Sequence, residues 1–422
     1  MQAVILAHSE PAELTQLLLC NSCALLPLKN GTMLSNLLSR FIDCDISDIL
    51  VVHSASQSAA LTNFIEQNRH IWPDHFNLTL HVVPSQCSVA DCLSRLRSFL
   101  TADYVFLTYS TTILLDFDLR KLFMTLVRNN ASVAAVFSRL PVAESKLMKA
   151  QPRELVVTSH CSEMLYAYYA ASDIRKHSVL PRTLYALGKG VTARSDLHDV
   201  GCYVMSRSVV ENAARIGEDV VHKRKSVWQF IDPTSLQSIP PAGDLQKADM
   251  DNVPDRSAEL ECFYSDISEP TGVCIFEQNG QLPCLKCDDP LIFAEANRLI
   301  LQKSSIVDKE SMSGKKGSSK DYSLVLSDCV VDANSSVIGS FINPGCTIGA
   351  NVKILNSTLL SGVVVKDGCL IQGCVLGEGV ITEKGCQLKN CAVAARQRVP
   401  DGTELESEQL GFTDLELSVS QT

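Results

Sequence analysis

The sequence predicts an α/β, doubly wound domain followed by a parallel β-solenoid, and three observations carry that prediction. Strand-like and helix-like segments alternate over residues 1–250. Apolar residues recur every five or six positions from Val331 to Val393. Between the two lies a polar stretch rich in breakers, PPAGDLQKADMDNVPDRS at 240–257.

The first half opens with a buried-strand pattern, AVILA, that runs into a loop and then into TMLSNLLSRFIDC, with Leu34, Leu37, Leu38 and Phe41 at helical spacing. DILVV reads as a strand. VADCLSRLRSFL reads as a helix with Leu93, Leu96, Phe99 and Leu100 inward, and DYVFLTY as the strand after it. FDLRKLFMTLVRNN and ASVAAVFSRL repeat the helix–strand cycle, and HDVGCYVMS with SVVENAARI gives a last strand and helix. Strands separated by helices of this length imply right-handed βαβ units and a mostly parallel sheet.

Residues 251–322 read as a connecting segment and linker. GVCIFEQNG is a strand with an NG turn, EANRLILQ is helix-like, and SSIVDKESMSGKKGSSKD has the Ser, Gly and Lys content of a flexible linker. Residues 323–403 form the solenoid, and 404–422 a tail.

The solenoid signal is a period of 17. Apolar residues fall at Val331, Val337, Ile342, Ile348, Ile354, Leu359, Val365, Ile371, Leu376, Leu388 and Val393, with β-branched Thr382 filling the one gap. Ser340, Ser357, Cys374 and Cys391 stand 17 apart, small residues stacking in register. Asn334, Asn351, Gly368 and Gly385 make a second column, and Gly345, Gly362 and Gly379 a third. Asn and Gly tolerate positive φ, so these columns mark the corners of a three-sided coil. Coils of this kind bury their inward side chains only by stacking.

Composition bounds the function. A formal charge of −10 in 422 residues argues against a nucleic-acid-binding surface as the main feature. No basic region precedes the first apolar run, and no apolar stretch has the length of a membrane span, so a cytosolic protein with no membrane contact is expected. Seventeen scattered cysteines fit reduced, buried thiols better than a disulfide framework. Two CxxC pairs, Cys20/Cys23 and Cys284/Cys287, have the ligand count of a four-thiolate zinc site, but neither sits in a knuckle with turn glycines, and buried thiols are the expectation.

The solenoid resembles the hexapeptide-repeat, left-handed β-helix; its hand is implied by that resemblance. Many such proteins are acyltransferases that use a histidine base. All nine histidines here lie at or before His222, so an assembly surface is expected instead.

A doubly wound domain joined to a left-handed β-helix resembles the sugar-nucleotide pyrophosphorylases, and implies a nucleotidyltransferase-like fold. Their first strand and loop read roughly L-A-G-G-x-G-[ST]-R, then K-P-[LM]-x-P-[LIV]-x-x-[KR]-P, glycines and cations closing over nucleotide phosphates. Here AVILA and LLPLKNGTML keep the hydrophobic frame, and Pro27 falls on the family's second proline. The glycines are replaced by His8, Ser9 and Glu10, and the lysine and proline fall on Cys23 and Ala24. Glu10 is expected to repel a phosphate. The family's magnesium-holding aspartate falls on Ser110. Asp116 and Asp118 lie too far along and are read as capping the helix at Leu119. Asp199, in HDVGCYVM, survives near the implied sugar site. The resemblance therefore implies a pseudo-nucleotidyltransferase with no catalytic, cofactor-binding or metal-binding residues and no cofactor.

Inert members of this architecture include the gamma-type subunits of eukaryotic initiation factor 2B, the guanine-nucleotide exchange factor of initiation factor 2. GVCIFEQNGQLPCLKCDDPLIFAEANRLIL and the solenoid from Ser335 to Val399 are similar to those subunits, whereas most of 1–250 is similar in topology only. The resemblance implies a non-catalytic subunit that pairs with an epsilon-type subunit, joins the other exchange-factor subunits, contacts initiation factor 2 and lacks the epsilon-type helical exchange domain. An inactive regulatory subunit of a GDP-mannose pyrophosphorylase is the alternative, and a surviving nucleotidyltransferase with an unusual loop is the enzyme reading. The EANR segment favours the first.

Overall fold

The computed structural model describes residues 1–139, 154–159, 164–169, 191–219, 228, 272–278, 284–311 and 323–411, save positions 9, 21, 30, 86 and 116. The first domain is built on one sheet. In chain order its elements are β1 (Gln2–Leu6), α1 (Met33–Asp43), β2 (Asp48–Ser54), α2 (Ser58–Asn68), β3 (Asn77–Val83), α3 (Val89–Leu96), β4 (Tyr104–Tyr109), α4 (Leu119–Arg128) and β5 (Val133–Arg139). They continue with β6 (Leu155–Ser159), β7 (Met164–Tyr169), β8 (Val191–Arg194), β9 (Leu197–Ser206), α5 (Arg207–Asp219), β10 (Val273–Gln278) and α6 (Pro290–Ser311).

The strand order is β8-β6-β7-β10-β5-β9-β4-β1-β2-β3. The sheet is mixed, not mostly parallel: among the described residues β1, β2, β3 and β4 run parallel, as does β10 beside β5, while β9 lies antiparallel between β4 and β5. The parallel direction of a βαβ unit depends on a crossover helix between the strands, and only two residues separate the end of β8 from the start of β9, with no helix between them. Alternate residues of β1 face two separate cores, Val4 and Leu6 on one side and Ala3 and Ile5 on the other, so both faces are covered and the strand reads as a continuous apolar run. Helix α1 starts at a capping box, in which Thr32 accepts from Ser35 N at 3.2 Å and Ser35 Oγ accepts from Thr32 N at 2.6 Å.

Several boundaries differ from expectation. Strand β10 lies in the main sheet beyond position 250, paired with β5, so the sheet draws on the connecting segment. Helix α6 continues to Ser311 through residues expected to be linker, since helix formers persist there and no glycine interrupts before Gly314. The NG turn at 279–280, the KK pair at 315–316 and Asp116 lie outside the described residues. Phe99 is 51% exposed, not inward, because α3 ends at Leu96 and the helical spacing stops applying; its ring packs 4.4 Å from that of His81. Asp118 does cap α4, accepting from Arg120 N at 3.0 Å.

Residues 324–410 form a parallel β-helix of three short-stranded sheets, continuing past the expected end at 403. Each strand pairs with the one 17 residues on: Val330 with Thr347, Val337 with Ile354 and Ile342 with Leu359. Ile348, Ile354, Leu359, Val365, Ile371, Leu376, Leu388 and Val393 fill the interior. Val331, 38% exposed, does not join them, because the first coil has only one neighbouring coil. Positive φ occurs at Gly345, Gly362 and Gly379, and at Asn351, Gly368 and Gly385, as the corner columns predict. Asn334 is an exception: its N–H donates to the Asp332 carboxylate at 2.9 Å in a local turn that keeps φ negative. The third corner, Gly339–Asn356–Gly373–Asn390–Ser407, is also at positive φ and was not singled out in the sequence.

The column of small residues is a hydrogen-bonded ladder. Ser357 N donates to Ser340 Oγ at 3.1 Å, Cys374 N to Ser357 Oγ at 3.1 Å and Cys391 N to Cys374 Sγ at 3.4 Å. Other solenoid cysteines occupy corners, where their thiols donate across the coil: Cys346 Sγ lies 3.2 Å from Leu360 O and Cys369 Sγ 3.0 Å from Glu383 O. Side chains of this size satisfy backbone groups that a purely apolar corner would leave bare.

The two domains share a core. Leu14, Leu17 and Leu26 from the loop after β1 pack with Phe293 and Ala296 of α6 and with Leu360 and Val375 of the solenoid. Glu378 N donates to Leu17 O and Ala395 N to Gln16 O, each at 2.9 Å, so the loop is bonded to two successive coils through its backbone.

Candidate functional site

The loop after β1 is where the pyrophosphorylase resemblance places the nucleotide phosphates. Residues Cys23–Leu25 form a single 3₁₀ turn there, and Pro27–Leu28 pairs with Gly31–Thr32 as a tight hairpin. The turn presents two consecutive N–H groups inward, and the carboxylate of Glu10 receives both: Cys23 N at 2.6 Å and Ala24 N at 3.0 Å. Gln57 Nε2 donates to the same carboxylate at 2.8 Å and Ser110 Oγ at 2.9 Å. Gln57 is itself fixed, since its Oε1 accepts from Ser54 N at 2.9 Å. Four donors from three elements thus converge on one carboxylate. Nothing in the sequence marked Glu10 as the acceptor at the centre of this network.

Glu10 is half-buried as a residue, but its carboxylate end is enclosed. Burial pushes the carboxyl up to about 7, and the donors at Cys23, Ser110 and Ala24 pull the other way. The positions that the family fills with a lysine, a proline and a metal-holding aspartate are those of Cys23, Ala24 and Ser110, and all three bond to Glu10. His8 is buried and turned away, its Nε2 3.1 Å from Cys87 O and 3.3 Å from Cys92 Sγ. Ser9 lies outside the described residues.

Asp199 sits on β9 next to a bulge at Gly201, whose φ of 73° brings the backbone so near the Tyr109 ring that an added Cβ would stand 2.8 Å from it. The Asp199 carboxylate accepts from Tyr203 Oη, from Trp228 Nε1 at 2.6 Å and from Gly201 N at 2.9 Å. Trp228 stacks on Tyr168 at 4.6 Å and meets the Tyr203 ring edge-on at 5.7 Å, so an indole fills the space beside Asp199. Glu154 accepts from Asp199 N at 2.9 Å. Burial, then the neighbouring Asp199 charge, drives the Glu154 carboxyl up to about 7. Lys286 lies 4.6 Å over the Tyr109 ring and 3.0 Å from Asp288; burial opposes its charge, and Asp288, Tyr109 and Asp199 together hold the ammonium charged.

Glu154 yields a pH prediction. Its folded pKa lies above the ordinary carboxyl value of 4.5, so folding favours the protonated form. That contribution is present below about pH 4.5 and is lost as pH rises through 7. We expect this group to lower stability measured by urea unfolding by about 1–3 kcal/mol between pH 5 and 8; Glu10, also pushed up to about 7, adds to the same slope, so Glu154→Gln should flatten only part of it.

The two CxxC pairs do not converge on one centre. Cys23 and Cys287 are buried in the interdomain cluster with Cys20 at its rim, while Cys284 belongs to the sheet core and donates to Leu115 O at 3.6 Å. Among the described residues no group of three or more His, Cys, Asp or Glu is placed to hold a metal ion, and no helix is long and apolar enough to cross a membrane. Gln57, Glu154 and Trp228 were missed in the sequence, because each acts through a partner at least 45 positions away or on another element.

A comparison with curated proteins finds no match. Residues 331–410 match the family described as "GlmU-like, C-terminal hexapeptide". The match and the three stacked parallel sheets together fit a left-handed β-helix, so the C-terminal part of this chain is a GlmU-like hexapeptide-repeat domain joined to an α/β domain with a mixed central sheet.

Proposed function

We propose that this chain is a non-catalytic, gamma-type subunit of the cytosolic initiation factor 2B exchange complex, pairing with an epsilon-type subunit and helping it to engage initiation factor 2. The observation that carries the non-catalytic part is the filled phosphate position. Glu10 holds the N–H groups of Cys23 and Ala24 at 2.6 and 3.0 Å, and Ser110, standing for the metal-holding aspartate, donates to it. A pyrophosphorylase needs that position empty and electropositive to receive a nucleoside triphosphate. The exchange-factor part rests on the likeness of residues 272–301 and 335–399 to gamma-type subunits.

In this reading the chain acts by position. Its first domain and solenoid are fixed to each other through the apolar cluster around Phe293 together with the Leu17–Glu378 and Gln16–Ala395 backbone bonds, giving a stiff scaffold on which a catalytic partner can be held. An effect on exchange arises only if the scaffold contacts the GDP-bound and released states differently. The test is GDP release from initiation factor 2 with the epsilon-type subunit alone and with both chains. Faster release with both, and no magnesium-dependent nucleotidyl transfer by this chain alone, is the expected pair of results. Turnover of a nucleoside triphosphate and a sugar phosphate by the chain alone would overturn the reading.

A further inference from the structure

We propose that Glu10 is a built-in ligand: its carboxylate fills an oxyanion cradle made by Cys23 N, Ala24 N, Gln57 Nε2 and Ser110 Oγ, and the cradle, once emptied, takes a small free carboxylate in its place. The inference does not rest on which complex the chain joins. The donors come from three separate elements: the 3₁₀ turn at Cys23–Leu25, the turn at Ala55–Gln57 and the residue after β4. All four point at one pair of oxygens.

Such an arrangement is what a bound anion would require, and it is not what a surface glutamate needs for solubility. Gln57 makes the case sharper, because its amide could turn either way, and the Ser54 N–H holds its oxygen so that the NH₂ faces Glu10. The cradle is also held from behind. Residues 14–19 are fastened to the solenoid through Glu378, which accepts from Leu19 N at 2.7 Å and donates its own N–H to Leu17 O at 2.9 Å. The donors have anchors of their own, since Leu26 N donates to Cys23 O at 3.0 Å, Ser110 N to Leu6 O at 2.9 Å and Ser54 N to Gln57 Oε1 at 2.9 Å, so a free anion meets a preformed site.

Glu10→Ala excises a fragment equivalent to acetate, so sodium acetate is the probe, with sodium chloride at the same ionic strength as the control. At pH 8, where the native carboxyl is ionised, the variant is expected to melt several degrees below the wild type. Acetate should then raise its melting temperature saturably, as binding to the folded state alone requires, and chloride should not. The wild type, its cradle already filled, should respond to acetate no more than to chloride. Glu10→Ala/Ser110→Ala should need more acetate for the same shift. Equal effects of acetate and chloride on Glu10→Ala, or equal acetate shifts in variant and wild type, would overturn the proposal. If Glu10→Ala is recovered only as aggregate, Glu10→Gln decides the matter. It keeps the volume but sets an NH₂ against the donors, so it should melt well below the wild type, and a Glu10→Gln protein as stable as the wild type would overturn the proposal.

Discussion

Phe293→Ala is expected to lower the unfolding free energy by about 3–5 kcal/mol and to uncouple the two domains. Phe293 is fully buried where three parts of the chain meet: the loop with Leu14 and Leu17, helix α6, and the solenoid face with Leu360 and Val375. The cavity left by the ring borders all three, and the polar bonds at Leu17 and Gln16 are too few to hold the domains in register alone. Urea unfolding followed by circular dichroism should change from one transition to two, with the solenoid the later to melt. A single transition displaced by under 1 kcal/mol would mean that this cluster does not couple the domains.

Ile371→Asp should be at least as severe, roughly 4 kcal/mol or more, because it buries an unpaired charge midway along the solenoid. Ile371 is fully buried, paired in register with Ile354 before it and Leu388 after it. Stability in a stacked repeat is a sum of coil and interface terms, so breaking a central coil separates the coils on either side. Val331→Asp supplies the internal control. It also points inward, in the neighbouring column that continues through Ile348 and Val365, but is 38% exposed on the first coil and should cost less than about 1 kcal/mol. Equal losses for the two would contradict the stacking order.

The solenoid was legible because every coil repeats the same environment, so each inward position makes its demand again 17 residues later. The corner of Gly339, Asn356, Gly373, Asn390 and Ser407 carries the same signal and was available to the same count. The first domain was legible where strands are buried on both faces, as at β1 and β4. It was less so at the sheet edge: β3, Asn77–Val83, alternates polar and apolar residues with Val82 left 58% exposed, and the period-2 pattern is its only mark. Strand direction was not legible, since β9 enters antiparallel directly after β8, a short strand that the sequence reading did not identify.

The candidate site divides the same way. That positions 10, 23, 24 and 110 depart from the pyrophosphorylase pattern could be read from the sequence. That those residues bond to one another could not, because the contact joins residues up to 100 positions apart. A glutamate read alone as an unpaired charge becomes, once its donors are placed, the centre of a four-donor network.

The proposed role is tested most directly by affinity capture of the tagged chain from a lysate of its native cells, with the co-purifying proteins identified by mass spectrometry. Stoichiometric recovery of an epsilon-type subunit with the other exchange-factor subunits and initiation factor 2 is the expected result. Recovery of an active, glycine-loop-bearing pyrophosphorylase in their place would contradict it and make the chain a regulator of sugar-nucleotide synthesis.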